Sequence, residues 1–222
     1  MLLYRYLSLE HAIGSVEEGR LKVGRLNELN DPFDCFPPVI NLPSEAKDFD
    51  LGFGDGILNG WSSKFGLVCY SATINDPVLW SHYASGLRGI ALGFEIPTSG
   101  MSDILAKVTY SDERPMLDFH LFNVSTPNEA VDFAKSLMTQ IYSVKASSWA
   151  YEQEYRQFFL LESCIAAKGM YFTDLPLLKR IIIGARCTMD KSYFDHFLQR
   201  SAYKGVSVLK AVRSPTSYKI EA

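Results

Sequence analysis

The stretch Trp149-Ala150-Tyr151-Glu152-Gln153-Glu154-Tyr155-Arg156 runs directly into the mostly apolar segment Gln157-Phe158-Phe159-Leu160-Leu161. That segment has the length and composition of a buried β-strand, so the two carboxylates stand at its start. In an extended backbone, Glu152, Glu154 and Arg156 project to the same side. Two carboxylates held together in a cleft need a nearby cation, and Arg156 is the candidate partner. The same pattern also fits an ordinary solvated strand edge.

Outward from this stretch, the sequence predicts many strands and a few helices. The hydrophobic patterns predict strands at residues 4–7, 65–71, 89–97, 106–110, 155–161, 169–172, 179–183, 206–212 and 218–220, and helices at residues 11–21, 77–85, 127–148 and 190–203. The clearest helix begins with a capping box, in which Thr126 is the N-cap and Glu129 lies three residues further on. Because strands and helices do not alternate strictly, we expect an α+β fold.

The length and charge of the chain exclude several classes of protein. Its 222 residues suggest one domain over residues 1–222, with residues 41–60, rich in Gly, Asp and Asn, as a surface excursion. The formal charge of −3 gives no bulk attraction for nucleic acid, so a polybasic nucleic-acid binder is excluded. We find no apolar run long enough to span a bilayer and no secretory signal at the start, and therefore expect a cytoplasmic protein without a membrane partner.

The four cysteines, at positions 35, 69, 164 and 187, lie far apart in sequence and form no C-x-x-C or C-x-x-H spacing. This spacing argues against a zinc module or a redox pair, and we expect no metal. The sequence also lacks the glycine-rich nucleotide loops and the common hydrolase motifs.

The first strand carries a second candidate site residue. In Tyr4-Arg5-Tyr6, Arg5 points away from its two aromatic neighbours, because side chains alternate across a strand. Its guanidinium offers a fixed fork of donors for a phosphate. The alternative is an arginine on the outer face of an edge strand.

A third candidate lies at the end of the strand predicted for residues 65–71. Ser71 closes this strand, and Trp80, His82 and Tyr83 follow within one short helix. The hydroxyl could orient a sugar, and the aromatic cluster could stack on a planar heterocycle. The alternative is structural, with Ser71 capping a turn, Trp80 in the core and His82 on a helix surface.

Taken in order, Arg5 on the first strand, Ser71 at a strand end and the Glu152-Gln153-Glu154 motif resemble the R-S-E signature of ADP-ribosyltransferases. The middle motif reads Ser-Ala-Thr here, where that superfamily has Ser-Thr-Ser. Over nearly its full length the chain also resembles a mostly bacterial family of unknown function, DUF2971. The segments that carry this likeness are residues 3–6, 30–35, 69–71, 79–84, 89, 94, 149–156 and 181–184.

The transferase resemblance implies two small packed, mainly antiparallel sheets flanked by helices, and NAD as the substrate. It further implies that Glu154 stabilises the oxocarbenium-like transition state and that Glu152 orients or deprotonates the acceptor, as in arginine-targeting transferases. Arg5 would bind the dinucleotide phosphates and Ser71 would position the nicotinamide ribose. Trp80, His82 or Tyr83 would line the nicotinamide pocket. An NAD glycohydrolase would use the same site with water as acceptor.

Two other functions stay open at the level of sequence. The first is a non-catalytic module in which the aromatic cluster captures a nucleotide or a partner protein. The second is a hydrolase or nuclease in which His82 acts as base with Asp31 or Asp34. Neither the acceptor nor the oligomeric state follows from the sequence. The enzymatic hypothesis requires Arg5, Ser71 and Glu154 to line one cleft.

Overall fold

The computed structural model describes residues 1–31, 33, 39–41, 59–97, 104–118 and 126–222. The strands are β1 (Leu2–Leu7), β2 (Arg20–Arg25), β3 (Val39–Asn41), β4 (Phe65–Ser71), β5 (Ile90–Glu95), β6 (Ile104–Lys107), β7 (Thr109–Ser111), β8 (Met116–Asp118), β9 (Val144–Ala146), β10 (Glu154–Leu160), β11 (Ile165–Ala167), β12 (Met170–Asp174), β13 (Leu177–Ile183), β14 (Ser207–Lys210), β15 (Val212–Arg213) and β16 (Ile220–Glu221). The labelled α-helices are α1 (Leu9–Glu18), α2 (Pro77–Tyr83), α3 (Pro127–Ser136) and α4 (Asp195–Leu198), and residues 59–62 are also helical. The fold is α+β, as predicted.

Ten of these strands form one hydrogen-bonded sheet. Its main path runs β11-β12-β2-β4-β1-β5-β13-β14, with β10 beside β4 and β6 beside β10. The pairs within this sheet are antiparallel except β13 with β14, which is parallel. Where two small sheets were expected, β4 joins both parts into one network. The pairs β3–β8, β7–β9 and β15–β16 lie outside it.

The sheet divides at β4, and this division creates the space for a site. One edge of β4 pairs along its whole length with β10. The other edge is shared: Leu67 pairs with Gly24 of β2, whereas Ser71 pairs with Tyr4 of β1. Because β1 and β2 pair with opposite ends of β4, they part between these two points.

Two capped helices flank the sheet near this division. In α1, the Ser8 hydroxyl accepts a hydrogen bond from the His11 N–H (3.3 Å), and the helix ends at Gly19, whose φ of +66° favours glycine. In α2, the Asp76 carboxylate accepts a hydrogen bond from the Val78 N–H (2.7 Å), and Pro77 occupies the first turn. The N-terminal caps therefore fix where α1 and α2 begin.

Three groups of buried side chains form the core. The largest includes Leu3, Val16, Leu92 and Phe94 and lies between α1 and the sheet. The second joins β4 and β10 to the turn after α3, and the third packs α2 against β1 and β13. Both faces of the sheet near β1 are thus covered.

The two longest predicted helices are interrupted in the structure. The predicted capping box is confirmed: the Thr126 hydroxyl accepts from the Glu129 N–H (3.2 Å), and the Glu129 carboxylate accepts from the Thr126 N–H (3.1 Å). However, α3 ends at Ser136, a π-helical turn covers Leu137–Ile141, and the chain then enters β9, so a helix to residue 148 was wrong. The helix predicted for 190–203 is divided into α4 and the short 3-10 helices Lys191–Phe194 and Ser201–Tyr203.

Besides β9, the predicted strands also omit β2, β3, β8 and β11. The helix predicted for residues 11–21 ends at Glu18, because the left-handed Gly19 reverses the chain into β2. Residues 42–58 of the predicted surface excursion, together with Pro32 and Asp34, lie outside the described residues. In the part of the chain that is described, no helix has the length and apolar character needed to cross a membrane.

Candidate active site

A cavity of 210 Å³ lies where β1 and β2 part over β4. Its wall is formed by Tyr4, Arg5, Tyr6, Leu7, Gly24, Leu29, Asn30, Leu67, Cys69, Tyr70, Ser71, Leu79, Tyr83, Lys145, Glu152 and Glu154. We call this space the β1–β4 cavity. Five residues predicted from sequence as site residues line it, namely Arg5, Ser71, Tyr83, Glu152 and Glu154.

A tight turn brings the two carboxylates to this cavity. Residues Ser147–Glu152 form a 3-10 helix, and Gln153 follows with φ +47° in the left-handed region. The expected extended backbone through Glu152 was therefore wrong, although Glu154 does open β10, opposite Ser71. The two carboxylates still converge, because the turn folds Glu152 back beside Glu154. Both residues are 4% exposed.

Lys145 connects the two carboxylates. Its Nζ lies 2.7 Å from Glu152 Oε2 and 3.4 Å from Glu154 Oε2. The same ammonium sits 4.7 Å from the centre of the Trp149 ring, which adds a cation–π contact. Lys145 reaches this position from β9, where it pairs opposite Tyr110 of β7. Sequence reasoning missed Lys145 because it placed this residue inside the helix predicted for 127–148.

Arg156 forms a two-bond ion pair with Glu154, which confirms the partner predicted from the E-x-E-x-R pattern. Arg156 Nε donates to Glu154 Oε1 at 2.9 Å, and Nη2 donates to Oε2 at 3.0 Å. The remaining terminal nitrogen, Nη1, donates to the Tyr142 carbonyl at 2.8 Å. Burial alone would raise the pKa of Glu154, but the charges of Arg156 and Lys145 outweigh it and lower the pKa to about 2. Glu154 is therefore ionised at neutral pH.

Glu152 has the opposite electrostatic character. Burial raises the pKa of its carboxyl group above the usual range, and this effect exceeds the lowering by Lys145 and by the Tyr83 hydrogen bond. The Tyr83 hydroxyl donates to Glu152 Oε1 at 2.6 Å, and the Asn30 amide donates to that hydroxyl at 3.3 Å. Two neighbouring acids whose pKa values are pushed apart are suited to different roles in one reaction.

Ser71 holds the turn that carries Glu152 and Glu154, which we call the acidic turn, against the end of β4. Its hydroxyl donates to the Glu152 carbonyl at 2.6 Å and accepts from the Thr73 N–H at 3.1 Å. The Ala72 N–H also donates to the Gln153 carbonyl at 3.0 Å. Ser71 therefore lines the cavity and at the same time fixes the position of the two glutamates.

Tyr110 gives the turn a further attachment that the sequence analysis did not single out. Its hydroxyl accepts a hydrogen bond from the Glu154 N–H at 2.8 Å. Burial is the main reason that the pKa of Tyr110 rises to about 12, so the phenol stays neutral.

Arg5 presents a hydrogen-bond donor inside the protein. Its Nη2 donates to the Lys22 carbonyl at 3.0 Å, whereas its Nη1 is enclosed and has no hydrogen-bond partner among the described residues. Buried donors are normally paired, and Arg5 lines the cavity, so its guanidinium is a candidate to bind an anion there.

The structure places Trp80 and His82 away from the cavity wall. Trp80 is fully buried, donates its indole N–H to the Ile74 carbonyl at 2.8 Å and packs edge-on against Tyr6. His82 is exposed, and its Nδ1 lies 3.3 Å from the Tyr151 hydroxyl. Of the three aromatic residues predicted on α2, only Tyr83 reaches the cavity.

Asp31 and Asp34 were proposed as the acids that act with His82. Asp31 is buried, and its carboxylate accepts a hydrogen bond from the Phe33 N–H at 2.9 Å. Asp34 lies outside the described residues. Within the described ranges, no group of three or more His, Cys, Asp and Glu side chains is arranged to hold a metal ion.

Comparison with known proteins adds one finding to this geometry. No curated protein and no solved structure matches the chain, and no comparison confirms the resemblance to ADP-ribosyltransferases. Residues 79–157 match the family described as protein of unknown function (DUF2971). This segment contains α2 with Tyr83, Lys145 of β9 and both glutamates of the acidic turn. The match confirms the predicted resemblance to the DUF2971 family over these residues.

Proposed function

We propose that the β1–β4 cavity binds NAD and that the protein cleaves the bond between nicotinamide and ribose, as an ADP-ribosyltransferase or an NAD glycohydrolase. The observation that carries this proposal is the convergence of Arg5, Ser71 and Glu154 on one cavity. These residues come from β1, the end of β4 and the start of β10, and they stand in the order that the R-S-E resemblance requires.

Glu154 is the residue proposed to stabilise the transition state. Breaking the glycosidic bond develops positive charge on the ribose, and a fixed carboxylate beside the sugar lowers the energy of that state. The two bonds from Arg156 and the contact with Lys145 hold the Glu154 carboxylate in one orientation and keep it ionised. A group fixed before the reaction need not reorganise when the charge appears.

Glu152 is the proposed general base. Its raised pKa makes it a stronger base than an ordinary glutamate once it has lost its proton. It lines the same cavity as Glu154, so an acceptor hydroxyl bound there would lie near both acids.

Arg5 and the size of the cavity indicate how the dinucleotide would enter. The buried Nη1 of Arg5 has no hydrogen-bond partner among the described residues, and a shift of this side chain toward the cavity would bring it to a phosphate oxygen. The volume of 210 Å³ is below the range of about 300–1,000 Å³ typical of whole ligand sites. The cavity therefore suits the nicotinamide-ribose end of NAD, with the adenosine end outside it.

The direct test is release of nicotinamide from NAD by the purified protein, followed by chromatography. We expect release by the wild-type protein and a loss of about 100-fold or more in Glu154→Gln, the usual effect of removing a transition-state stabiliser. Glu95→Gln is the matched control, because Glu95 is exposed and pairs with Lys179 at the surface. Circular dichroism of each variant shows whether it is folded. Release that is the same in Glu154→Gln and Glu95→Gln would remove Glu154 from the mechanism.

A second candidate function is a non-catalytic nucleotide-binding module. The observation that favours it is that both Glu154 oxygens already accept hydrogen bonds from Arg156. Calorimetric titration with NAD separates the two functions, because saturable binding without nicotinamide release supports the module.

A further inference from the structure

We infer that the acceptor of the ADP-ribosyl group is an uncharged hydroxyl compound, either water or an alcohol, and not a cationic side chain such as arginine or lysine. This inference rests on the proposed function and concerns the half of the reaction that follows loss of nicotinamide. It rests on the cations that already form ion pairs with Glu152 and Glu154, which we call the acidic pair.

The charges of the acidic pair are balanced within the protein. Glu152 is paired with Lys145, and Glu154 is paired with both Lys145 and Arg156. Two carboxylates thus face two cations, and Arg5 lines the same cavity. Among the described residues, the site has no surplus negative charge that could attract a guanidinium or an ammonium group.

A cation already contacts Glu152 at the position that a cationic acceptor would take. One of its oxygens accepts from the Tyr83 hydroxyl at 2.6 Å, and the other accepts from Lys145 at 2.7 Å. To bind Glu152, a guanidinium would have to displace Lys145 or lie next to its positive charge. Lys145 is 6% exposed and its ammonium lies against the Trp149 ring, so its displacement would leave a buried charge unpaired.

A neutral hydroxyl brings no positive charge beside Lys145, and it can donate to the second acceptor position of a Glu152 oxygen. The acceptor oxygen forms a bond to C1′ of the ribose while the C1′–N bond breaks, and the electron pair of that bond goes to the pyridinium nitrogen, so nicotinamide leaves uncharged. The proton of the hydroxyl passes to the Glu152 carboxylate and from there to solvent. With water as acceptor, NAD and water give ADP-ribose, nicotinamide and one proton, and no further reactant is needed.

The test offers the wild-type protein NAD together with one probe of each class. Agmatine supplies a guanidinium and methanol supplies a hydroxyl, and mass spectrometry identifies the products. We expect ADP-ribose in every reaction, its methyl glycoside when methanol is present, and no ADP-ribosyl-agmatine. An agmatine adduct formed at a rate comparable with ADP-ribose overturns the inference and leaves the proposed function standing. Absence of nicotinamide release from NAD overturns the proposed function and this inference with it.

A binding measurement tests the role of Lys145 without relying on turnover. Calorimetry should detect no saturable agmatine binding to the wild-type protein. Lys145→Met, which uncovers the acidic pair, should bind agmatine saturably. Lys179→Met is the matched control, because Lys179 pairs with exposed Glu95. A folded Lys145→Met variant that binds agmatine no better than Lys179→Met contradicts the inference. Saturable agmatine binding to the wild-type protein contradicts it equally and requires no variant.

Discussion

The ion pair between Glu154 and Arg156 predicts a large, measurable contribution to stability. Glu154→Gln removes the charge that accepts two hydrogen bonds from Arg156 and leaves that guanidinium, which is fully buried, without its counter-ion. Breaking a buried pair by removing one partner typically costs about 3–5 kcal/mol. Because natural domains are stable by about 5–15 kcal/mol, the variant should fold with reduced stability.

The lowered pKa of Glu154 expresses the same ion pair as a second magnitude. The pKa falls from an ordinary value of 4.5 to about 2 in the folded protein. At about 1.4 kcal/mol per unit, this difference corresponds to roughly 3 kcal/mol of stability. Since the folded pKa is the lower one, this contribution is fully present above pH 4.5 and is lost as the pH falls toward 2.

Urea unfolding followed by circular dichroism at pH 7 and pH 3 measures both effects. We expect Glu154→Gln to be less stable than wild type by about 3 kcal/mol at pH 7, and its stability to change less between the two pH values. The double variant Glu154→Gln/Arg156→Met should recover part of the loss, because no buried charge is left unpaired by Glu154. The control Glu95→Gln should cost less than about 1 kcal/mol. A Glu154→Gln variant as stable at pH 7 as Glu95→Gln would refute this account of the ion pair.

Three further predictions concern the cavity and the sheet. Arg5→Met should weaken ADP-ribose binding at least tenfold in calorimetry, because a charge-assisted hydrogen bond is worth about 1.5–3 kcal/mol. An unchanged affinity would exclude Arg5 from the phosphate site. Tyr83→Phe removes a hydrogen bond that lowers the pKa of Glu152. The pKa of Glu152 should therefore rise, and the acid limb of the pH–rate profile for nicotinamide release should move to higher pH. An acid limb that does not move would contradict the role of Glu152 as the base. Gly89→Ala should destabilise the protein by about 3 kcal/mol in urea unfolding, because its Cβ would lie 2.1 Å from the Leu7 carbonyl oxygen. Gly14→Ala, with nothing within 4 Å, should be neutral or stabilising, and equal effects of the two would contradict the close approach.

Elements that depend on local sequence were predicted well. The bounds of β4 agree with the predicted 65–71, because an apolar run between Gly and polar residues fixes both ends. The start of α2 follows from a proline in the first turn, preceded by the capping Asp76. The capping box at Thr126 was likewise readable, since its two hydrogen bonds join residues three positions apart.

Features that depend on distant contacts were missed. Met138, Ile141 and Tyr142 are buried at the spacing that predicted a continuous helix, yet the chain leaves the helix there. It does so to pair β9 with β7, which lies more than 30 residues earlier, and no local pattern encodes that pairing. Lys145 joins the acidic pair only through this strand, so its role was invisible in the sequence.

The residues of the candidate site were likewise predicted in part, and the rest depended on distant contacts. Chain order and motif placed Arg5, Ser71 and Glu154 correctly as residues that line one cavity. Helical spacing could not distinguish Tyr83, which reaches the cavity, from Trp80, whose indole turns into the core. That difference depends on how α2 lies against β1, which is a property of the packed structure.

The measurement that bears most directly on the central claim is the amount of nicotinamide that the purified wild-type protein releases from NAD over time. We predict steady release that is proportional to protein concentration and that falls about 100-fold or more in folded Glu154→Gln. A wild-type protein that binds NAD but releases no nicotinamide would contradict the claim that the β1–β4 cavity is an active site.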